Sequence, residues 1–124
     1  MTLGRLGRWA IVVVYAAGIF GLSAQEDLAL PMPTLVSDKV YHAVEYAGFT
    51  GILAIALRAG GSRFILTRAA LLAILYGLSD EYHQQFVPGR QAALADVAAD
   101  AVGAVLACFV LFLSRWRRRV EPVD

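Results

Sequence analysis

Four apolar runs decide most of what this chain can become. They cover about residues 9–24, 40–57, 64–80 and 92–114. A helix that crosses a hydrocarbon core of ~30 Å needs about 20 apolar residues, with a working range of ~17–25. The first and third runs lie at the short end and need flanking residues, local thinning or partner helices to span. Helices of a soluble bundle would keep polar outer faces. The first run and the stretch from Val102 to Leu113 are apolar all round. The 124 residues are 59% hydrophobic and 17% charged, against about 45–50% apolar in an ordinary soluble domain. The expectation is one domain over residues 1–124, all-α, an integral membrane bundle of four transmembrane helices.

Total charge is only +1 and says little about partners, but its placement says much. Arg5 and Arg8 precede the first run. Arg58, Arg63 and Arg68 surround the connection between the second and third. Arg115, Arg117, Arg118 and Arg119 follow the fourth. Nine of the 11 basic residues therefore fall on one side, and only Lys39 and Arg90 on the other. The positive-inside rule then puts both termini in the cytoplasm, N-in/C-in. The arginine tail is read as a topology anchor, with no nucleic acid as partner. As a signal peptide the first run has Leu22 at minus three from Ala24, where a small residue is wanted, so it is read as a retained span. The single Cys108 has no intrachain partner and reads as a small packing residue.

Polar groups concentrate at the outward ends of runs two to four. Ser37 or Asp38 is expected to cap the second helix. Asp38, His42 and Glu45 follow an i, i+4, i+7 spacing and share one helix stripe. Asp80, Glu81 and Gln84 close the third run. Of the adjacent pair Asp80 and Glu81, one is expected to face inward and the other to bind the following loop. His83 and Gln84 are offset by about a hundred degrees, so only one of them points fully inward. Pro88-Gly89 forces a turn before Arg90. Gly60-Gly61-Ser62 makes an inner turn, and the loop around Pro31 and Pro33 an interfacial one. In the fourth run Asp96 and Asp100 lie one turn apart, with Gly103 and Ala107 continuing the stripe. Small residues there let helices approach closely. Ionisable groups at a bilayer are costly and therefore functional candidates. Gathered by a bundle, Asp38, His42, Glu45, Asp80, Glu81, Gln84, Arg90, Asp96 and Asp100 would form an outward-facing polar cup. Arg90 and His42 are the expected partners of Glu45 and Asp100.

These residues resemble the VanZ-like family of small bacterial membrane proteins. The match is carried by Asp38-Lys39-x-x-His42-x-x-x-Tyr46, by Asp80-Glu81-x-His83-Gln84-x-Phe86-Val87-Pro88-Gly89-Arg90, and by Asp96, Asp100 and Gly103. It departs at Asp100, where the family pattern usually has Asn. Glu45 lies outside the motif. The resemblance implies the bacterial cytoplasmic (inner) membrane and, for some members, resistance to glycopeptide antibiotics, teicoplanin above all.

Three classes of function stay open at this point. The first is a binding or envelope-modulating protein whose partners are membrane lipids, a lipid-linked cell-wall precursor or a lipoglycopeptide, with Arg90 holding a phosphate or carboxylate. The second is a membrane-embedded hydrolase or transferase acting on a lipid headgroup, with His42 or Glu81 as general base. No nucleophile elbow and no activated cysteine support covalent catalysis. A third, an ion-coupled permease using Glu45 and Asp100, is weakened by the apolar cytoplasmic halves of the runs. Metal ligands, if any, come from Asp38, His42, Asp80, His83 and Asp96. Their spacing matches no recognised zinc pattern, so the site is read with no metal and no cofactor.

Overall fold

The computed structural model describes residues 4–25, 35–58 and 64–120. They form four helices: α1, Arg5–Ser23; α2, Leu35–Leu57; α3, Ile65–Gln84; and α4, Leu94–Val120. No strand occurs among the described residues. The apolar runs mark these helices but not their ends. α2 starts at Leu35, so Ser37 and Asp38 sit in its first turn instead of capping it. Neither glycine nor proline lies between Leu35 and Asp38 to hold the start back. α3 continues past the apolar run to Gln84, and α4 continues through the arginines to Val120. The expected turns around Pro31, Pro33 and Gly60-Gly61-Ser62 lie outside the described residues.

Bonds between helices fix an up-down-up-down order. Ser23, at the end of α1, meets Asp80 near the end of α3. Lys39 and His42, near the start of α2, meet Asp96 and Asp100 near the start of α4. At the other end, Cys108 of α4 donates to the Leu66 carbonyl of α3 at 3.3 Å. The polar ends of all four helices therefore share one end of the bundle, and the starts of α1 and α3 share the other.

Close approach depends on small residues. Ala69, Ala73 and Gly77 recur every fourth residue along α3 and are buried. α2 and α4 form the most extensive pairing in the fold. At their crossing a β-carbon on Gly103 would run into the Ala43 carbonyl oxygen and lie 2.8 Å from its carbon. The small face expected below Asp100 is thus the seam between α2 and α4. Further from the polar end, Phe49 gathers Tyr15, Tyr46 and Tyr76, with ring centroids 5.7, 6.2 and 5.2 Å away. Tyr76 also donates to the Ala16 carbonyl at 2.6 Å, and Tyr15 to the Glu45 carbonyl at 3.0 Å. These aromatic contacts bond α1 into the bundle.

The outer surface is more apolar than a water-soluble fold allows. Val13, Val14, Leu71, Leu75, Val105, Phe109 and Val110 are all exposed. Contiguous apolar surface on this scale needs a covering. Three helical stretches, Arg5–Ser23, Asp38–Leu57 and Leu94–Arg117, are long and apolar enough to cross a membrane. α3 is not among them; it carries Arg68, Asp80 and Glu81 within 20 residues.

Candidate functional site

The polar groups collect at one end of the bundle in three linked parts. The first joins α1 to α3. Asp80 is 5% exposed and accepts from Ser23 Oγ at 2.6 Å and from Gln84 Nε2 at 3.3 Å. Gln84 is buried, whereas His83 turns aside and packs on Phe20 with ring centroids 4.3 Å apart. Gln84 is therefore the inward member of that pair.

The second part joins α3 to the start of α4. Glu81 is also 5% exposed, and its Oε2 accepts from the Ala93 amide at 2.9 Å. Asp80 and Glu81 are both buried, each against a different neighbour. Glu81 does hold the following loop, as expected, but Asp80 needs α1 as well. Glu81 Oε1 is buried with no hydrogen-bond partner among the described residues.

The third part joins α2 to α4. His42 Nδ1 lies 2.9 Å from Asp100 Oδ1, and Asp100 is 1% exposed. Gly77 makes the room: a β-carbon there would lie 2.7 Å from Asp100 Oδ2 and 3.2 Å from Tyr46 Cε1. Tyr46 is itself 1% exposed, and its hydroxyl has no partner among the described residues. One turn nearer the surface, the Lys39 ammonium bonds Asp96 and also reaches Asp38 at 3.0 Å. Asp38, with a side chain 55% exposed, forms the outer rim. Asp38, His42 and Asp96 also hold ligand atoms within 4.8 Å of one another. Two further candidates for a metal set, Asp80 and His83, are engaged elsewhere as described. Glu45 is half-buried beside α1, within electrostatic range of His42, Asp80 and Asp100.

Arg90 is placed apart from these groups. Val87–Arg90 forms a turn closed by Arg90 N–H to the Val87 carbonyl at 3.2 Å, with Gly89 at φ 80°. Proline second and a positive-φ glycine third are the residues a type II turn requires. The turn aims Arg90 back at the end of α1. Its Nε donates to the Gln25 carbonyl at 3.1 Å and its Nη2 to the Leu22 carbonyl at 3.2 Å. A cation on terminal helix carbonyls is a favourable cap. Arg90→Ala should therefore fray the end of α1 and lower stability by about 1 kcal/mol, the low side for charged hydrogen bonds because the site is exposed. Thermal unfolding in detergent reads this, and Arg90→Lys should recover part of it.

Two residues outside the expected cup belong with it. Lys39 was legible as the one cation beside a carboxylate-rich helix start, yet its position off the Asp38 stripe hides its reach. Ser23 has no signal beyond its place at the end of the first run. Eight of the nine expected groups gather in a mostly enclosed cluster, open at Asp38 beside Lys39, whereas the ninth, Arg90, is a strut on the end of α1.

A small helical bundle with carboxylates inside one end and aliphatic side chains outside is a membrane protein. The chain belongs to the VanZ/LLP1 family, which matches it over residues 8–115. No curated protein and no solved structure matches it.

Proposed function

We propose that this chain is a four-span protein of the bacterial cytoplasmic membrane with both termini inside, whose outward acidic cluster binds a polar part of a cell-envelope component. The ligand class is an outer-leaflet headgroup, a lipid-linked cell-wall precursor or a lipoglycopeptide, and one consequence is protection against teicoplanin. Topology is supported by the sequence, in which nine basic residues flank the first run, the connection between the second and third and the end of the fourth, while eight of the ten acidic residues fall on the other side. The exposed Leu71, Leu72, Leu75 and Leu78 support α3 as the fourth span. One observation carries the binding role. Among the described residues Tyr46 Oη and Glu81 Oε1 are buried without a hydrogen-bond partner, close to the paired His42 and Asp100, and His83 Nδ1 at the same end is likewise unpartnered. A buried polar group without a partner costs about 1–3 kcal/mol, and a ligand with donor and acceptor groups removes that cost.

The test is teicoplanin susceptibility of a sensitive bacterium expressing wild type, Glu81→Gln or Tyr46→Phe, with membrane levels matched. Wild type should raise the tolerated concentration, and both variants should lose most of that gain. Equal susceptibility with and without wild type removes teicoplanin protection from the account.

The His42–Asp100 pair favours a second reading, a hydrolase or transferase on a lipid headgroup. A buried carboxylate that orients an imidazole is the arrangement of a general base. Headgroup release from envelope lipids that stops in His42→Gln supports it. Stoichiometric lipid binding without turnover supports the binding role instead.

A further inference from the structure

The acidic cluster poses an electrostatic problem. Asp38, Glu81, Asp96 and Asp100 stand against one ammonium, Lys39, because Arg90 is spent on the end of α1. Such a site repels the phosphates and carboxylates that envelope headgroups carry. A bound divalent cation inverts that logic.

The geometry points to a divalent cation of the zinc or manganese class, held by Asp38, His42 and Asp96 at the rim of the cluster. Their ligand atoms lie within 4.8 Å of one another, so small rotamer changes bring all three onto one ion. Two carboxylates and an imidazole form a mixed oxygen–nitrogen set, which suits zinc or manganese better than calcium or copper(I). Three protein ligands leave open positions for water or a headgroup oxygen.

Three further observations support it independently of that spacing. His42 Nδ1 is engaged by Asp100 Oδ1 at 2.9 Å, which leaves Nε2 as the ring nitrogen for a cation. A carboxylate behind a histidine is the usual support of a metal-bound imidazole. Glu81, 5% exposed, lies within electrostatic range of His42 and keeps Oε1 unpartnered among the described residues. Such an oxygen would accept a hydrogen bond from a water carried by the ion. Lys39 already bridges Asp38 and Asp96 with its ammonium, the position a cation favours. Lys39 is then a resident competitor, displaced when the ion binds.

This inference rests on the reading of the cluster as a ligand site. It is tested with tag-free chain in detergent, stripped by a chelator and titrated calorimetrically with Zn²⁺ and with Mn²⁺. Wild type should take a single equivalent of one of them. Asp96→Asn and His42→Ala should weaken binding by about tenfold or more, and Asp100→Asn, which touches no ion, by about 10–100-fold. Lys39→Gln should tighten binding about tenfold by removing the competing charge. A gain of affinity cannot come from a damaged fold. No stoichiometric uptake of either ion, or uptake indifferent to both Asp96→Asn and Lys39→Gln, overturns the site. Asp96-dependent binding in a protein that gives no teicoplanin protection keeps the cation site and removes that envelope role. Protection without stoichiometric binding does the reverse.

Discussion

Gly103→Ala should cost the bundle about 3 kcal/mol, at the upper end of overpacking penalties in a well-packed core. The new methyl carbon would collide with the Ala43 carbonyl oxygen and start 2.9 Å from the Ala43 Cα. Those are backbone atoms of α2, so relief requires the two helices to part. This crossing lies one turn below the Asp100–His42 bond, so parting there also pulls on the polar cluster. Gly51→Ala is the control on α2, because a β-carbon there meets nothing within 4 Å. Helix propensity favours alanine over glycine by up to ~1 kcal/mol, so the control should be neutral or slightly stabilising. Unfolding in mixed detergent, followed by circular dichroism, reads both. Equal curves for the two variants would mean that α2 and α4 do not cross at Gly103.

Asp80→Ala has the second large effect, about 2 kcal/mol, since it removes the acceptor of two buried donors, of which Ser23 Oγ falls back on the Phe20 carbonyl at 3.2 Å while the other is left unpaired at roughly 1–3 kcal/mol. Those donors are Ser23 Oγ and Gln84 Nε2. Hydrogen bonds between membrane helices average only about 0.6 kcal/mol in double-mutant cycles. A charged acceptor shared by two donors should exceed that average. Asp80→Asn keeps one acceptor oxygen and should cost about half as much as the alanine variant, since only part of the bonding is lost. A cycle with Ser23→Ala should show coupling above 1 kcal/mol, within the range of ~0.5–3 for residues in contact. Additive effects would mean that the Ser23–Asp80 bond adds nothing to what the aromatic contacts and Arg90 already hold of α1.

Helix periodicity carried much of the site. Asp96, Asp100 and Gly103 form one stripe in the sequence, and in the fold that stripe meets α2. His42 on the α2 stripe meets Asp100 as the expected partner. Pro88-Gly89 also announced its turn through backbone chemistry alone. What periodicity did not reveal is which helix stands on which side. Asp80 and Glu81 differ by a hundred degrees, and both are buried because α1 covers one and the start of α4 the other. Arg90 lies near the acidic groups in sequence, yet its turn points it at carbonyls that a sequence does not display as acceptors. Lys39 crosses to α4 on a flexible four-carbon stem, a reach that helix angles do not describe. The start of α2 and the end of α4 lie beyond the ends of their apolar runs for a simpler reason. A run of apolar residues measures contact with lipid or core, whereas a helix ends only where the backbone is interrupted.

Everything functional here depends on the acidic cluster lying outside a four-span bundle. Three helices, α1, α2 and α3, separate Gly4 from Gln91, and both positions are exposed. In a Cys108→Ser background, Gly4→Cys and Gln91→Cys can be challenged on intact cells with a membrane-impermeant maleimide. If all three helices span, Gln91→Cys labels on intact cells and Gly4→Cys labels only after permeabilisation. If α3 fails to span, both positions lie on one side and label alike. That result, or labelling of Gly4→Cys alone, would contradict an outward acidic site.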